Sequence, residues 1–335
     1  MMSTAPTQAP KTRLTTSAMI ASIAAPGQRT APAPFGNALV ELAKARPEIV
    51  GLTADLAKYT DLHIFAKAYP ERFYQMGMAE QLLMSAAAGL AREGALPFVT
   101  TYAVFAARRA YDFICMAIAE ERLNVKIVCA LPGLTSGYGP SHQATEDIAI
   151  FRGMPNLTIV DPADAHEIAQ ATPAIAAHDG PVYMRLLRGN VPLILDEYGY
   201  TFELGKAKTI RTGNDVLVIS TGLATMRALQ AAEMLEADRI GVEVLHAATI
   251  KPLDLATILA AAGKGGRLVV VAENHTVVGG LGEAVAAGML RAGIAPRFRQ
   301  IGLPDEFLAA GALPTLHDRY GISAEAMARQ IRAWL

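Results

Sequence analysis

From about residue 36 the chain alternates short apolar runs of strand length with longer stretches whose apolar positions recur at helical spacing. "ALVELAKARP" predicts a helix, "EIVGLTADL" a strand and "EQLLMSAAAGLAREG" a helix. "PFVTTYAVF" predicts a strand, "RRAYDFICMAIAEER" a helix, "NVKIVCAL" a strand and "HQATEDIAIFRG" a helix. "LTIVDPAD", "AHEIAQATPAIAAH" and "PVYMRL" continue as strand, helix and strand. Residues 190–207 break the rhythm, and a second set follows. There "DVLVIST", "IGVEVLH", "RLVVVAEN" and "RFRQIGL" predict strands. "LATMRALQAAEMLEA", "LATILAAAG", "GEAVAAGMLRAG" and "SAEAMARQIRAWL" predict the helices between and after them. Short apolar strands alternating with helices imply a mostly parallel sheet covered on both faces. The expected fold is therefore α/β: two tandem domains, each with such a sheet. We place a disordered leader over 1–30, a first domain over 31–192, a linker over 193–206 and a second domain over 207–335.

Composition narrows the classes of function. The 335 residues suit two domains, and at 52% hydrophobic they can bury a large core. No apolar run approaches the roughly 20 residues of a membrane helix. Lys plus Arg total 30 against 31 for Asp plus Glu, so there is neither a basic field for nucleic acid nor an acidic tail. Cys115 and Cys129 lie in apolar segments without metal-ligand spacing, which fits core residues in a reducing cytoplasm. The first 40 residues hold no Asp or Glu, a composition shared by disordered leaders and transit peptides; we read a leader.

Candidate chemistry begins with Glu80. At helical spacing it shares a face with Leu83, Met84, Ala87 and Ala91, the face a helix buries. Burying an ionised carboxylate costs several kcal/mol, so Glu80 either has a local partner or is held for chemistry. Ligands of parallel sheets gather at the carboxyl ends of the strands. Those ends deliver Asp55, Tyr102, Phe105, His142 from "LPGLTSGYGPSH", and Arg185 with Arg188 from "MRLLRGN". Asp55 also fits a turn cap, Tyr102 and Phe105 also fit core packing, and Arg188 also fits a solvated strand-end charge. Ser141 reads as a helix cap, which would place His142 near the positive end of a helix and favour its neutral form. Gly279, Gly280 and Gly282 read as a tight strand-to-helix turn, because "ENHTVVGGLGEA" lacks the dinucleotide pattern.

The order of these stretches is more specific than any one of them. G-x-x-E-Q heads an apolar helix, and "PFVTTYAVFAARRAYD" follows. Then come a glycine-rich turn ending in "SHQ" with "ED" after it, "PAD", R-x-x-R-G-N, "IKPLD", "ENHTVVGGLGEAV" and "IGLPD". From about residue 36 onward the chain resembles the C-terminal half of a transketolase, most closely the shorter subunit of split transketolases. It is also similar to the matching half of 1-deoxy-xylulose-5-phosphate synthase. The resemblance implies a pyrimidine-binding domain followed by a transketolase C-terminal domain. It implies thiamine diphosphate as cofactor, with Glu80 sharing a proton with the pyrimidine nitrogen and so activating the thiazolium carbon. Phe105 would stack on the pyrimidine with Tyr102 beside it, and Asp55 would lie near the cofactor. His142 would contact substrate hydroxyls and Arg188 a sugar phosphate, with Arg185 as a further substrate contact. The implied activity is transfer of a two-carbon ketol unit between sugar phosphates.

The family's G-D-G motif, which holds the diphosphate and Mg2+, is absent from this chain. The resemblance therefore implies a longer N-terminal partner subunit in an α2β2 assembly, with no metal ligands here. The departures lie on the substrate side. Tyr138 stands in a turn that lacks the family's acid, Leu131 and Pro132 replace a polar pair, Pro32 stands where arginine is frequent, and Tyr59 lies near a usual serine. A specialised or branched sugar phosphate is the expected substrate. Two other readings stay open: the β subunit of a 2-oxoacid dehydrogenase or decarboxylative synthase, and a non-catalytic scaffold. Which of Arg108 and Arg109 faces the site also stays open, because an extra residue separates them from Tyr111 relative to the synthase pattern.

Overall fold

The computed structural model describes residues 23–25 and 27–335, so most of the leader placed over 1–30 lies outside the described residues. A short strand, β1 (Thr30–Pro32), comes first. The following strands are β2 (Ile49–Thr53), β3 (Phe73–Gln75), β4 (Leu96–Tyr102), β5 (Lys126–Ala130), β6 (Thr158–Val160) and β7 (Val182–Leu186). β8 (Asn190–Pro192) then returns to pair antiparallel with β1. The second half supplies β9 (Lys208–Arg211), β10 (Val216–Ser220), β11 (Val242–His246), β12 (Thr249–Lys251), β13 (Leu268–Thr276) and β14 (Arg297–Leu303).

Two sheets result. A seven-stranded sheet runs β12-β6-β7-β5-β4-β2-β3, and a five-stranded sheet runs β14-β13-β10-β11-β9. All neighbours are parallel except β12 on β6 and β9 on β11. Every residue of β2, β4, β5, β7, β10 and β11 is buried, as sheets covered by helices on both faces require. This is the expected α/β fold.

The second half also lends one strand to the larger sheet: β12 crosses over and pairs with β6, Thr249 opposite Val160. Three residues ahead of a proline carry no readable period, so this strand left no sequence signal. The stretch expected to form one helix from Arg108 is divided into Ala103–Arg109, Tyr111–Ile114 and a π-helical turn, Cys115–Ala119. Phe105 therefore sits on a helix, past the end of β4.

The halves also meet at a glycine. The amide of Gly133 donates to the Ala144 carbonyl at 2.9 Å, and that of Leu134 to Asn274 Oδ1 at 2.9 Å. Gly133 has φ +57°, and a Cβ there would fall 2.1 Å from the Asn274 carbonyl oxygen. Gly133→Ala should lower stability by about 1–3 kcal/mol, read as a reduced urea midpoint. His317, from the helix Leu313–Arg319, packs on the same segment and donates through Nε2 to the Leu134 carbonyl at 2.7 Å. Burial pulls its pKa down from 6.5 to about 4. The unfolded chain takes that proton near pH 6.5 and the folded chain only near 4, so stability is lost as pH falls through that window. His317→Gln should flatten the pH dependence there by up to about 1.4 kcal/mol per pH unit, measured by urea unfolding across the window.

Candidate active site

The carboxyl ends of β2, β4, β5 and β7 bring the candidate side chains to one edge of the larger sheet. Glu80 is the first residue of the helix Glu80–Arg92 and is only 2% exposed. Its partner is Arg109, whose Nη1 donates to Oε1 at 3.0 Å. The Arg109 guanidinium also lies over the Phe105 ring, 3.9 Å from its centroid. Arg109 is half exposed, so a carboxylate buried on an apolar helix is joined to a cation reaching in from solvent. Among the described residues, Oε2 accepts no hydrogen bond.

An aromatic cluster surrounds His142. The ring centroids of Phe105, Tyr102 and Tyr138 lie 5.5, 6.0 and 5.3 Å from the imidazole. Burial first, and then the positive charge of Arg109, lowers the His142 pKa below its ordinary 6.5. The neutral form was expected, but for a different reason. The helix starts at Asp147 behind Glu146, too far along for Ser141 to cap it. Ser141 Oγ instead lies 2.9 Å from His142 Nδ1.

The adjacent arginines divide their tasks. Arg108 clasps the turn that carries His142, donating to the Pro140 carbonyl at 2.8 Å, to the Gln143 carbonyl at 3.4 Å and to Glu146 Oε1. Arg109 faces Glu80. No spacing argument separates two neighbours on one short helix; only the packing of Ala103–Arg109 does.

Asp55 is exposed beyond β2 with φ +58°, and its amide donates to Gln75 Oε1 at 2.7 Å. Arg188 lies past the end of β7, its guanidinium carbon 5.7 Å from the Tyr59 ring centroid. Asp61, which drew no attention in the sequence, is buried beside it.

Arg185 is a correction to the proposed set of substrate contacts. It lies within β7 and is 1% exposed, away from the site edge. Nε and Nη2 donate to Asp147 at 2.9 and 3.0 Å, and Nη1 donates to Asp161 at 3.0 Å. Nη2 also reaches the Asn274 carbonyl at 3.0 Å, while Tyr183 Oη donates to Asp147 at 2.6 Å. Every face of the guanidinium is committed inside the protein.

Comparison with known proteins decides the family. Residues 29–193 match the transketolase pyrimidine-binding domain, and residues 205–327 match the transketolase C-terminal domain. The chain belongs to the transketolase family. It is 72% identical to an uncharacterised transketolase family protein of Sinorhizobium fredii over 98% of this chain and 95% of that one. It is 39% identical to the 6-deoxy-6-sulfo-D-fructose transketolase subunit of a Clostridium species, over 88% of this chain and 91% of that one. A split-gene transketolase solved as an inactive β4 tetramer superposes with a TM-score of 0.81 at 40% identity, over 90% of this chain and 97% of that one. The chain thus corresponds to the C-terminal half of a split transketolase-like enzyme, in a thiamine-dependent family. No helix of the described residues is long and apolar enough to cross a membrane.

Removing Arg185 would leave Asp147 and Asp161 buried without their cation. Arg185→Met should cost about 3–5 kcal/mol, seen as a lower urea midpoint at unchanged slope.

Proposed function

We propose that this chain is the C-terminal subunit of a thiamine-diphosphate-dependent transketolase, moving a two-carbon ketol unit between sugar-like substrates once joined to a longer partner. The observation that carries this reading is Glu80: a carboxylate buried at a helix start, tethered through one oxygen by Arg109 and flanked by the Phe105 ring. The residues fit the cofactor's pyrimidine end, since Phe105 offers an aromatic face and Glu80 Oε2 accepts no bond within the described residues. Thiamine diphosphate, when bound, supplies the nucleophilic carbon. Glu80 would hold and return a proton at Oε2, and Arg109 would keep its carboxylate oriented. Tyr102 and Phe105 would exclude water from that proton. His142, its pKa lowered, would meet substrate hydroxyls as a neutral ring able both to donate and to accept. Arg188 would hold the far end of the sugar, and Asp55 would lie toward the cofactor.

The surroundings of Glu80 support a partner chain. Met78 is 81% exposed, and Leu82, Tyr111, Phe113 and Met116 also present apolar surface beside the site. Apolar side chains grouped at a polar cleft are what a subunit interface covers. We assign the diphosphate and Mg2+ to that partner because this chain carries no G-D-G, and we take the assembly to be α2β2. The relative described as an inactive β4 tetramer is consistent with a subunit of this type lacking its partner. On the substrate, the relative named for a sulfo-sugar points to a ketose with a modified far end.

The test is reconstitution with the long subunit, thiamine diphosphate and Mg2+, followed by ketol transfer assays. Glu80→Gln should lower turnover at least about 100-fold while the complex still assembles. Full activity of Glu80→Gln would refute the assignment, and thiamine-dependent turnover that Glu80→Gln abolishes would exclude a scaffold.

A further inference from the structure

The turn that carries His142 is anchored in the second half of the chain, and the reading above gives that anchorage no task. Leu134, at the start of the turn, packs in the apolar cluster of the second half with Leu308, Leu313 and Leu316. At its middle, the amide of Gly311 donates to the Gly137 carbonyl at 3.0 Å. At its end stands Gln143, next to His142 in sequence and only 1% exposed. Gln143 Nε2 donates to the Ser136 carbonyl at 3.1 Å and to the Ala309 carbonyl at 3.2 Å. One side chain thus closes the turn on itself and ties it to the segment that follows β14. Both partners are carbonyl oxygens, which only the amide nitrogen can face, so the amide has one orientation. Among the described residues its Oε1 is buried and accepts no hydrogen bond. A buried acceptor left unmet is destabilising, a cost that an apolar side chain of the same length would not carry. What the amide adds is a fixed distance between the turn and Ala309. Ala309 is itself held, because its amide donates to Tyr320 Oη at 2.8 Å. On the other side, Arg108 donates to the Pro140 and Gln143 carbonyls, so His142 lies between two holds, one from each half of the chain.

We propose that Gln143 and Tyr320 are positioning residues: through Ala309 they make the C-terminal domain set where His142 meets the substrate's hydroxyls. This inference rests on the ketol-transfer reading, and it gives that domain a part in a site otherwise built on the larger sheet. Residues 131–146 contain no helix or strand, so no regular element fixes His142 from beneath. A hydrogen bond to a hydroxyl weakens steeply with misalignment. A histidine on such a stretch therefore reads hydroxyls only as well as the stretch is held. Glu80 and Phe105 stand on helices of the first domain and make none of the contacts to Ala309 or Tyr320. The two tasks thus separate: loosening the bridge weakens the grip on substrate and spares the activation of the cofactor.

Gln143→Met keeps the length of the side chain and removes both donated bonds, while Tyr320→Phe removes only the remote hydroxyl that holds Ala309. Kinetics would be measured in the reconstituted complex with fructose carrying a sulfonate or a phosphate at its far end as donor. Gln143→Met should raise KM for the better donor about tenfold while kcat changes less than about threefold. The requirement for thiamine diphosphate should stay unchanged. Tyr320→Phe should raise KM in the same sense, by about threefold. A merely structural role would lower kcat by reducing the amount of active complex and leave KM where it was, and that outcome overturns the proposal. The route through His142 is read from a double-mutant cycle. On a His142→Ala background Gln143→Met should move KM less than about twofold, and an effect of full size there also overturns the proposal. If Gln143→Met does not assemble, Tyr320→Phe carries the same two comparisons. Absence of turnover with both donors in the unmodified complex would overturn the ketol-transfer reading instead. The bridge would then be judged by amide hydrogen exchange over residues 134–143 of the full chain. Both variants should speed that exchange at least about tenfold, and unchanged exchange overturns the bridge independently.

Discussion

Arg185 is the interaction on which the geometry of the site depends. Its guanidinium joins β7 to Asp147 on the helix Asp147–Arg152, to Asp161 past the end of β6, and to the Asn274 carbonyl on β13 of the other sheet. Burying three charged groups is costly, and their attraction returns most of that cost only if each lone pair and proton is met. The network is therefore a constraint on arrangement more than a source of net stability. It allows few alternatives to the observed placement of β6, β7 and β13. Two parts of the site inherit their positions from it. Arg188 lies three residues beyond Arg185, and the turn carrying His142 is held between Leu134, bonded to Asn274, and Asp147 itself.

A second buried cluster repeats this solution deeper in the interface. His246 on β11 lies 2.8 Å from Glu167, which also accepts from Tyr200 Oη and from the Ala163 amide at 2.6 Å. Burial alone would lower the His246 pKa, but Glu167 outweighs it and the pKa is raised. Asp164 accepts from the amides of Glu167, Ile194 and Leu195, capping one helix while pinning the segment that joins the halves. Glu273 caps the helix Leu281–Arg291 through the amides of Leu281 and Gly282, and burial raises its pKa to about 7. The acids of "PAD" and "ENH" thus cap helices, Asp164 also holding the segment that joins the halves, while Glu167 reaches across to His246.

How much the sequence could reveal followed from how each feature is encoded. Strands such as β2, β4, β5 and β7 were legible because burial on both faces leaves an unbroken apolar run. From them the strand-end rule led to Asp55, Tyr102, His142 and Arg188 without any contact information. β12 and β3 were not legible, since three-residue strands borrow their pairing from distant partners. Arg185 was misread because "MRLLRGN" offers two arginines and one obvious end. A residue within a doubly covered strand points into a core, whereas Arg188, past the strand, can point out. Arg109 needed coordinates, because its meeting with Glu80 depends on how two short helices pack. Asp61 had no local signal at all: its importance is a matter of burial and of the amide it holds.

The two sides of the site are built on different kinds of support, and this bears on how one could change without the other. Glu80, Phe105 and Arg109 stand on two helices packed against the sheet, where moving any of them disturbs the core. Tyr59, Asp61, Tyr138 and Arg188 stand on turns or beyond a strand end, where a substitution alters the surface while the strands stay in register. Two of the departures from the family pattern, Tyr59 and Tyr138, fall on that second set. In the proposed reading, a cofactor-activating face held by the core is paired with a substrate face held by turns. Asp61 joins the two regimes. Its backbone is locked against Gly36 of the core helix Pro34–Ala45, yet its carboxylate holds the amide of Gly189, beyond the end of β7.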